Sequence, residues 1–293
     1  MESNLPQQNN PLAKFMRQPK IYVKLPSQGE FWPAGSVALP DNGEVAVYSM
    51  TARDELMLKV PDALLNGQAV VEVIQNCVPA VKNGWDVPGI DLDALLIAIR
   101  IATYGEKMST PVSLTVKDND DIEFDYQVDL RSVLDTLMNQ VNWDPIVPIN
   151  ETMTAYVRPI AYKQQTKLSV QTFETQKLIQ IANDANIPEE DKIKSFTESF
   201  NKLTAITIDL VVNSVYRIDT PDGSVEDLNF IKEFIQNADK EIFNKLQNHL
   251  EKLRDQNSIK PISVPVTDDL KAQGVVEDTI EVPLTFDPST FFV

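Results

Sequence analysis

A single cysteine, a single histidine and nine glycines are spread over 293 residues, and 26 Lys and Arg stand against 43 Asp and Glu, a formal net charge of −17. Each scarcity removes a class of function. One thiol forms no disulfide within the chain, and a Cys-based zinc site is excluded. One imidazole leaves most general acid–base schemes without their usual residue. There is no Gly-rich phosphate loop, Ser-His-Asp order or cluster of metal-ligating histidines, and no cofactor is expected. The acidic balance repels phosphate backbones and anionic headgroups at long range. The densest basic stretch holds only Lys14, Arg17, Lys20 and Lys24, so neither nucleic acid nor a membrane surface is an expected partner. No apolar run approaches the ~20 residues that cross a bilayer, and residues 1–10 lack the basic start and apolar core of a signal peptide. These features suit a reducing, cytosolic setting.

What is present is a hydrophobic content of 43%, enough for a substantial core and one to three domains. Residues 1–19 are polar and Gln/Asn-rich and read as a flexible arm. Ile21 to Leu25 alternates, Asp41-Asn42-Gly43 is a strong turn, and Glu44 to Tyr48 reads as a strand, giving a small antiparallel unit. Thr51 with Asp54 forms a capping box before a helix over 52–59. Asn66-Gly67 breaks the chain ahead of a helix over 68–78, and 84–89 reads as loop. Asp91 or its neighbour caps a third helix with Leu92, Leu95, Leu96 and Ile99 buried, and Gly105 closes it. Residues 112–116 and 122–128 alternate as a hairpin around 117–121, 133–141 is a short helix, and 153–160 has strand character.

From 164 the pattern is helical, first to about residue 183. Pro188 suits a first helical position, followed by acids in the first turn. Ile193, Phe196, Phe200, Leu203, Ile206 and Leu210 then recur every three or four residues as far as about Tyr216, a helix of roughly 40 Å. Asp219 to Gly223 is a turn, Ser224 with Asp227 starts the next helix, and Phe243, Leu246, Leu250 and Leu253 form another stripe. Strands over 262–266 and 279–285 follow. The expected fold is α+β: an N-terminal mixed lobe of small antiparallel β units and short helices, and a C-terminal helical bundle with a terminal β segment. The expected divisions are an arm at 1–19, a mixed lobe at 20–160, a bundle at 161–258 and a β segment with tail at 259–293.

Cys77 sits in the apolar run 73–78, where a buried inert thiol is the usual outcome; pairing it with His249 as a nucleophile and base is the far weaker reading. Asp118 to Asp121 resembles a cation loop only faintly, because Ile122 takes a ligand position and no Gly is present. Arg100, between Ile99 and Ile101, must snorkel or pair, and a structural ion pair with Asp54, Glu55, Asp91 or Asp93 is expected. Phe31, Trp32, Phe286, Phe291 and Phe292 are candidate partner-binding residues, with a core role as the alternative for the two aromatic pairs. The amphipathic helices either fold on one another or present a groove to a partner helix; folding back is the default. No catalytic or metal-binding residue is assigned.

The ordered series Leu25-Pro26-Ser27, Phe31-Trp32-Pro33, Met50-Thr51, Asp54-Glu55, Leu64 to Gly67, Val73-Ile74 with Cys77-Val78, Asp91 with Leu95-Leu96, and Arg100 with Thr103-Tyr104-Gly105 resembles the baseplate-protein family of T-even-like contractile-tailed bacteriophages. That family includes baseplate hub assembly proteins. The likeness is strongest over residues 20–130 and looser through 225–237 and 286–292. Similar proteins often carry Cys pairs just after the Tyr-Gly and near the C-terminus that look like zinc knuckles. Here 108–116 and 264–276 contain no Cys, so metal binding is not carried over. The resemblance implies a non-enzymatic protein of tail or baseplate hub assembly, acting through contacts with other phage tail or baseplate proteins, a hub or tape-measure protein among them. It implies work in the host cytoplasm, with a place in the virion tail left open. A permanent structural subunit and, more remotely, a tail-associated hydrolase are the rival readings; the sequence leaves the oligomeric state open.

Overall fold

In the computed structural model the described residues are 12, 16–114, 122–139, 141–182, 188–272, 275, 278–282, 284 and 291–292. They form the expected α+β fold, with small antiparallel sheets, helices concentrated in the second half and a strand pair near its end. Alternating apolar residues pair β1 (Pro19–Lys24) with β2 (Glu44–Tyr48), Val23 facing Val45. The Thr51 hydroxyl then caps α1 (Ala52–Leu58) by accepting from the Asp54 amide, while the Asp54 carboxylate accepts from the Thr51 amide at 2.7 Å. This is the reciprocal box expected from the two residue types. A short helix not expected from the sequence, α2 (Pro61–Leu65), precedes α3 (Gln68–Cys77). Residues 84–86 form a 3-10 turn within the expected loop.

The central element is α4 (Gly89–Tyr104), buried along most of its length, with Gly105 closing it at φ 95°. Asp91 is not its cap. Pro88 occupies the cap, and Asp91 lies in the first turn, fully buried. Its carboxylate instead accepts from the Ser27 amide at 2.7 Å, the Ser27 hydroxyl at 2.5 Å and the Trp32 indole N–H at 2.7 Å. The Leu25-Pro26-Ser27 and Phe31-Trp32 segments are thereby clasped to the start of α4, where the helix dipole also favours negative charge. Burial raises the Asp91 carboxyl, and the Ser27 and Trp32 donors oppose that rise.

The β3 (Lys107–Leu114) and β4 (Ile122–Asp129) hairpin keeps one register from Lys107 opposite Asp129 to Leu114 opposite Ile122. The turn expected at 117–121, with its faint likeness to a cation loop, lies outside the described residues. Helix α5 (Leu130–Asn139) follows. Next, β5 (Ile146–Pro148) and β6 (Thr154–Val157) lead into α6 (Tyr162–Ala182) and α7 (Glu189–Ser214). Pro188 is the N-cap of α7 rather than its first residue. Where the helix was expected to run to Tyr216, β7 (Val215–Thr220) begins, and with β8 (Gly223–Val225) it completes the sheet order β5-β6-β7-β8. Asp227, not Ser224, caps α8 (Leu228–Asn237); the Ser224 hydroxyl donates to Asp219 at 2.6 Å. Then come α9 (Lys240–Asn257), β9 (Ile262–Pro265), α10 (Asp268–Ala272) and β10 (Thr279–Val282), which pairs with β9.

Among the described residues, three apolar cores result. The first gathers β1, β2, α1, α3, α4 and α5 together with Phe291 and Phe292. The second joins the four-stranded sheet to Val211 and Val212 of α7, Ile231 and Ile235 of α8, and Leu246, Leu250 and Leu253 of α9. The third packs Val112 of β3 against Val264, Leu270, Ile280 and their neighbours.

Two predictions follow from α4. Asp91→Asn turns an acceptor for three donors into a group that carries donors of its own. It is expected to lower the unfolding free energy by about 2–4 kcal/mol, read from urea denaturation at unchanged m value. Asp93, on the same helix, is pushed by burial up to about 6. The folded chain therefore binds a proton there more tightly than the unfolded chain, and stability falls as pH rises from the ordinary Asp range through 6. Asp93→Asn is expected to melt above the parent at pH 7.5, with the two melting temperatures converging towards pH 4.

Candidate partner-binding surface

The aromatic residues singled out in the sequence fall into three places. Trp32 is buried with its indole N–H on Asp91, and Phe291 and Phe292 are buried in the same core, edge to face at 5.0 Å. All three sit inside the chain's own packing and would have to leave it to anchor a partner. Phe31 is half-buried and meets Trp143 edge-on at 5.9 Å, while the Trp143 indole donates to the Val157 carbonyl, so Phe31 ties the first core to the sheet. Phe286 lies outside the described residues.

Arg100 is 8% exposed and stacks between two rings, its guanidinium carbon 5.1 Å from the Tyr104 centroid and 5.5 Å from that of Phe291. Its Nε and Nη1 have no hydrogen-bond partner. Among the described residues no carboxylate pairs with it. Asp54 is held by Thr51 and Asn76, and Asp91 by Ser27 and Trp32. Burial lowers the Arg100 pKa and Tyr104 opposes this, but a guanidinium starts high enough to stay charged. A cation over aromatic faces is the arrangement found. The Tyr104 hydroxyl stands 3.2 Å from Glu55 Oε1 and 3.0 Å from the Phe292 carbonyl, and its one proton serves one of them at a time.

The remaining chemical candidates are dispersed. Cys77 is buried in the first core, and its thiol is pushed up to about 11, chiefly by burial and then by Asp54. His249 is on α9 of the second core, bonded to the Asp144 carbonyl at 2.9 Å. The structure does not bring the two together. A surface depression beside the β3–β4 hairpin is lined by Glu106, Asp129, Arg131 and Asp135. Lys107 and backbone amides hold the Asp129 carboxyl below its usual range, and Arg131 pairs with Asp135 at 3.3 Å. Among the described residues no group of three or more His, Cys, Asp or Glu side chains is placed to hold a metal ion, and no helix is long and apolar enough to cross a membrane.

The feature that stands apart is on α7. Its C-terminal end buries Val211 and Val212 in the second core. Its N-terminal half instead leaves Ile193 at 62%, Phe196 at 43%, Phe200 at 71% and Leu203 at 37% exposure. These four residues, spaced by three, four and three, continue through Thr207 and Leu210 and form the narrow stripe of a coiled-coil seam. Helix α6 pairs with a different face of α7. Among the described residues, the fully buried side chains there are Thr175 of α6 and Ser199 of α7, both small and polar, and Ser199 Oγ and Gln171 Oε1 lack partners. Folding back thus holds for the C-terminal end of the stripe, and the rest faces outward. The sequence showed the stripe; it missed the exposure, for which the signal was the polar face at Lys192, Ser195 and Ser199 a quarter-turn away.

These placements predict opposite responses to truncation. Phe291→Ala is expected to destabilise the chain by about 3–5 kcal/mol, and Phe200→Ser to change it by no more than about 0.5 kcal/mol, both measured by chemical denaturation.

One comparison with known proteins identifies a family. A family model described as T4 bacteriophage base plate protein matches residues 16–271. No curated protein sequence matches the chain, and no solved structure does.

Proposed function

The chain belongs to the T4 bacteriophage base plate protein family, a membership that carries a structural or assembly role in a phage baseplate, and from it we propose that the protein acts in building the baseplate hub. In this reading it has no reacting group of its own and works in the host cytoplasm while the tail is put together. It offers surfaces to other tail or baseplate proteins and chaperones a hub or tape-measure protein into place. The observation that supports this reading best is the uncovered seam of α7. Four large apolar side chains in a row on one helix, in a chain that otherwise closes three cores, suit a surface made to be covered by something else.

The test is genetic and structural together. Phage carrying Phe196→Ser with Phe200→Ser are expected to yield few or no complete tails, while the purified variant keeps the parent's circular dichroism and melts within about 2 °C of it. Normal particle yield would defeat the proposal. A protein inventory of purified virions is expected to show the chain absent or well below the copy number of the baseplate subunits; stoichiometric amounts would replace an assembly factor with a permanent subunit.

A further inference from the structure

The exposed apolar row on α7 reads alike from either end. Ile193, Phe196, Phe200 and Leu203 follow at intervals of three, four and three, with the aliphatic side chains outermost and the two phenyl rings between them. A two-fold axis crossing the helix at the level of residue 198 therefore sets Ile193 against Leu203 of a second copy, and Phe196 against its Phe200. Each pair recurs on the far side of the axis. Such self-complementarity is what an isologous contact requires. At about 100° per residue, exposed Thr197 and Thr204 border the row on one side, and Lys192 with the buried Ser199 borders it on the side towards α6. Lys194, Glu198 and Lys202 lie around the helix, away from the row.

Charge decides the direction of pairing. Glu189, in line with the row at the helix start, falls across from Thr207 when two α7 helices run antiparallel, and across from its own counterpart when they run parallel. The parallel arrangement also gathers Glu190 and Asp191 of both first turns at one end, which like charge and aligned dipoles oppose. It brings both second cores to the other end, where Val211 and Val212 enter them. The area is sufficient. At exposures of 62, 43, 71 and 37%, the four side chains leave roughly 400 Å² open per copy, taking roughly 200 Å² for a large apolar residue. Two copies cover about twice that before the margins are counted, in the range of a specific but reversible contact. We propose that the chain forms a two-fold symmetric dimer in which the α7 rows of two copies lie against each other, antiparallel. The inference goes beyond the assembly reading and does not rest on it.

Sedimentation velocity of the full chain is expected to show a reversible monomer–dimer equilibrium with a midpoint on the order of 1–100 μM. Phe196→Ser and, separately, Phe200→Ser are expected to raise the dissociation constant at least about tenfold. Their circular dichroism and melting temperature, measured well below the midpoint, should match the parent's. Because the row is bordered mainly by uncharged residues, salt raised from about 0.05 to about 0.5 M should not weaken the dimer. Direction is read from a nitroxide pair at Glu189→Cys; Cys77, buried in the first core, does not compete for label. Antiparallel helices set the labelled positions about 27 Å apart along the axis, and parallel ones about 10 Å apart. A chain monomeric to about 200 μM overturns the proposal and leaves the row to a different protein. So does a dimer indifferent to both Phe variants, one that high salt dissociates, or a label separation near 10 Å. Particle yield is not read in this experiment, so dimerisation and hub assembly can fail independently.

Discussion

A carboxylate removed from water needs donors, and the way Asp91 finds them organises the first third of the molecule. Its charge lies in the first turn of α4, where the backbone already favours it, and three donors from two upstream segments converge on it. The Ser27 hydroxyl also accepts from the Gly29 amide, which folds the turn that delivers Trp32. β1 and β2 are thereby held against a helix whose remaining faces are filled by α3, α5 and Phe291. An apolar residue at 91 would pack, but it would leave the indole and amide N–H groups without acceptors in a dry interior.

Where sequence and structure agree, the signal was local. The Thr51 and Asp54 box, the Gly105 terminus, the β3–β4 alternation and the stripe of α9 each depend on residues within a turn or two of one another. What escaped depends on distant partners. Asp91 has the composition of a cap, and only the arrival of Ser27 and Trp32 from some sixty positions upstream gives it another role. Val215 to Thr220 continues an apolar rhythm that a helix would also show, and it becomes a strand because β6 lies beside it. Arg100 was expected to find a carboxylate, yet Asp54, Glu55 and Asp91 have other company, and Tyr104 and Phe291 take its faces. Periodicity located the α7 stripe without telling which end would be covered.

Helix α7 therefore divides along its length. One end is structural, carrying Val211 and Val212 into the core beneath the sheet, and the other displays an exposed apolar row. For a member of a baseplate family, such a division puts an exposed apolar row and a core contact on one continuous helix. The small residues at Thr175 and Ser199 bring α6 close to α7 and widen the platform.

Tyr104 reaches across 188 positions to the carbonyl of Phe292, and both rings of 291 and 292 fill the core built around α4. During synthesis, the segments from β1 to α5 emerge from the ribosome long before those two aromatics exist. The opening lobe keeps a vacancy beside Arg100 until they arrive, so its closure depends on residues almost two hundred positions downstream of the helix they cover.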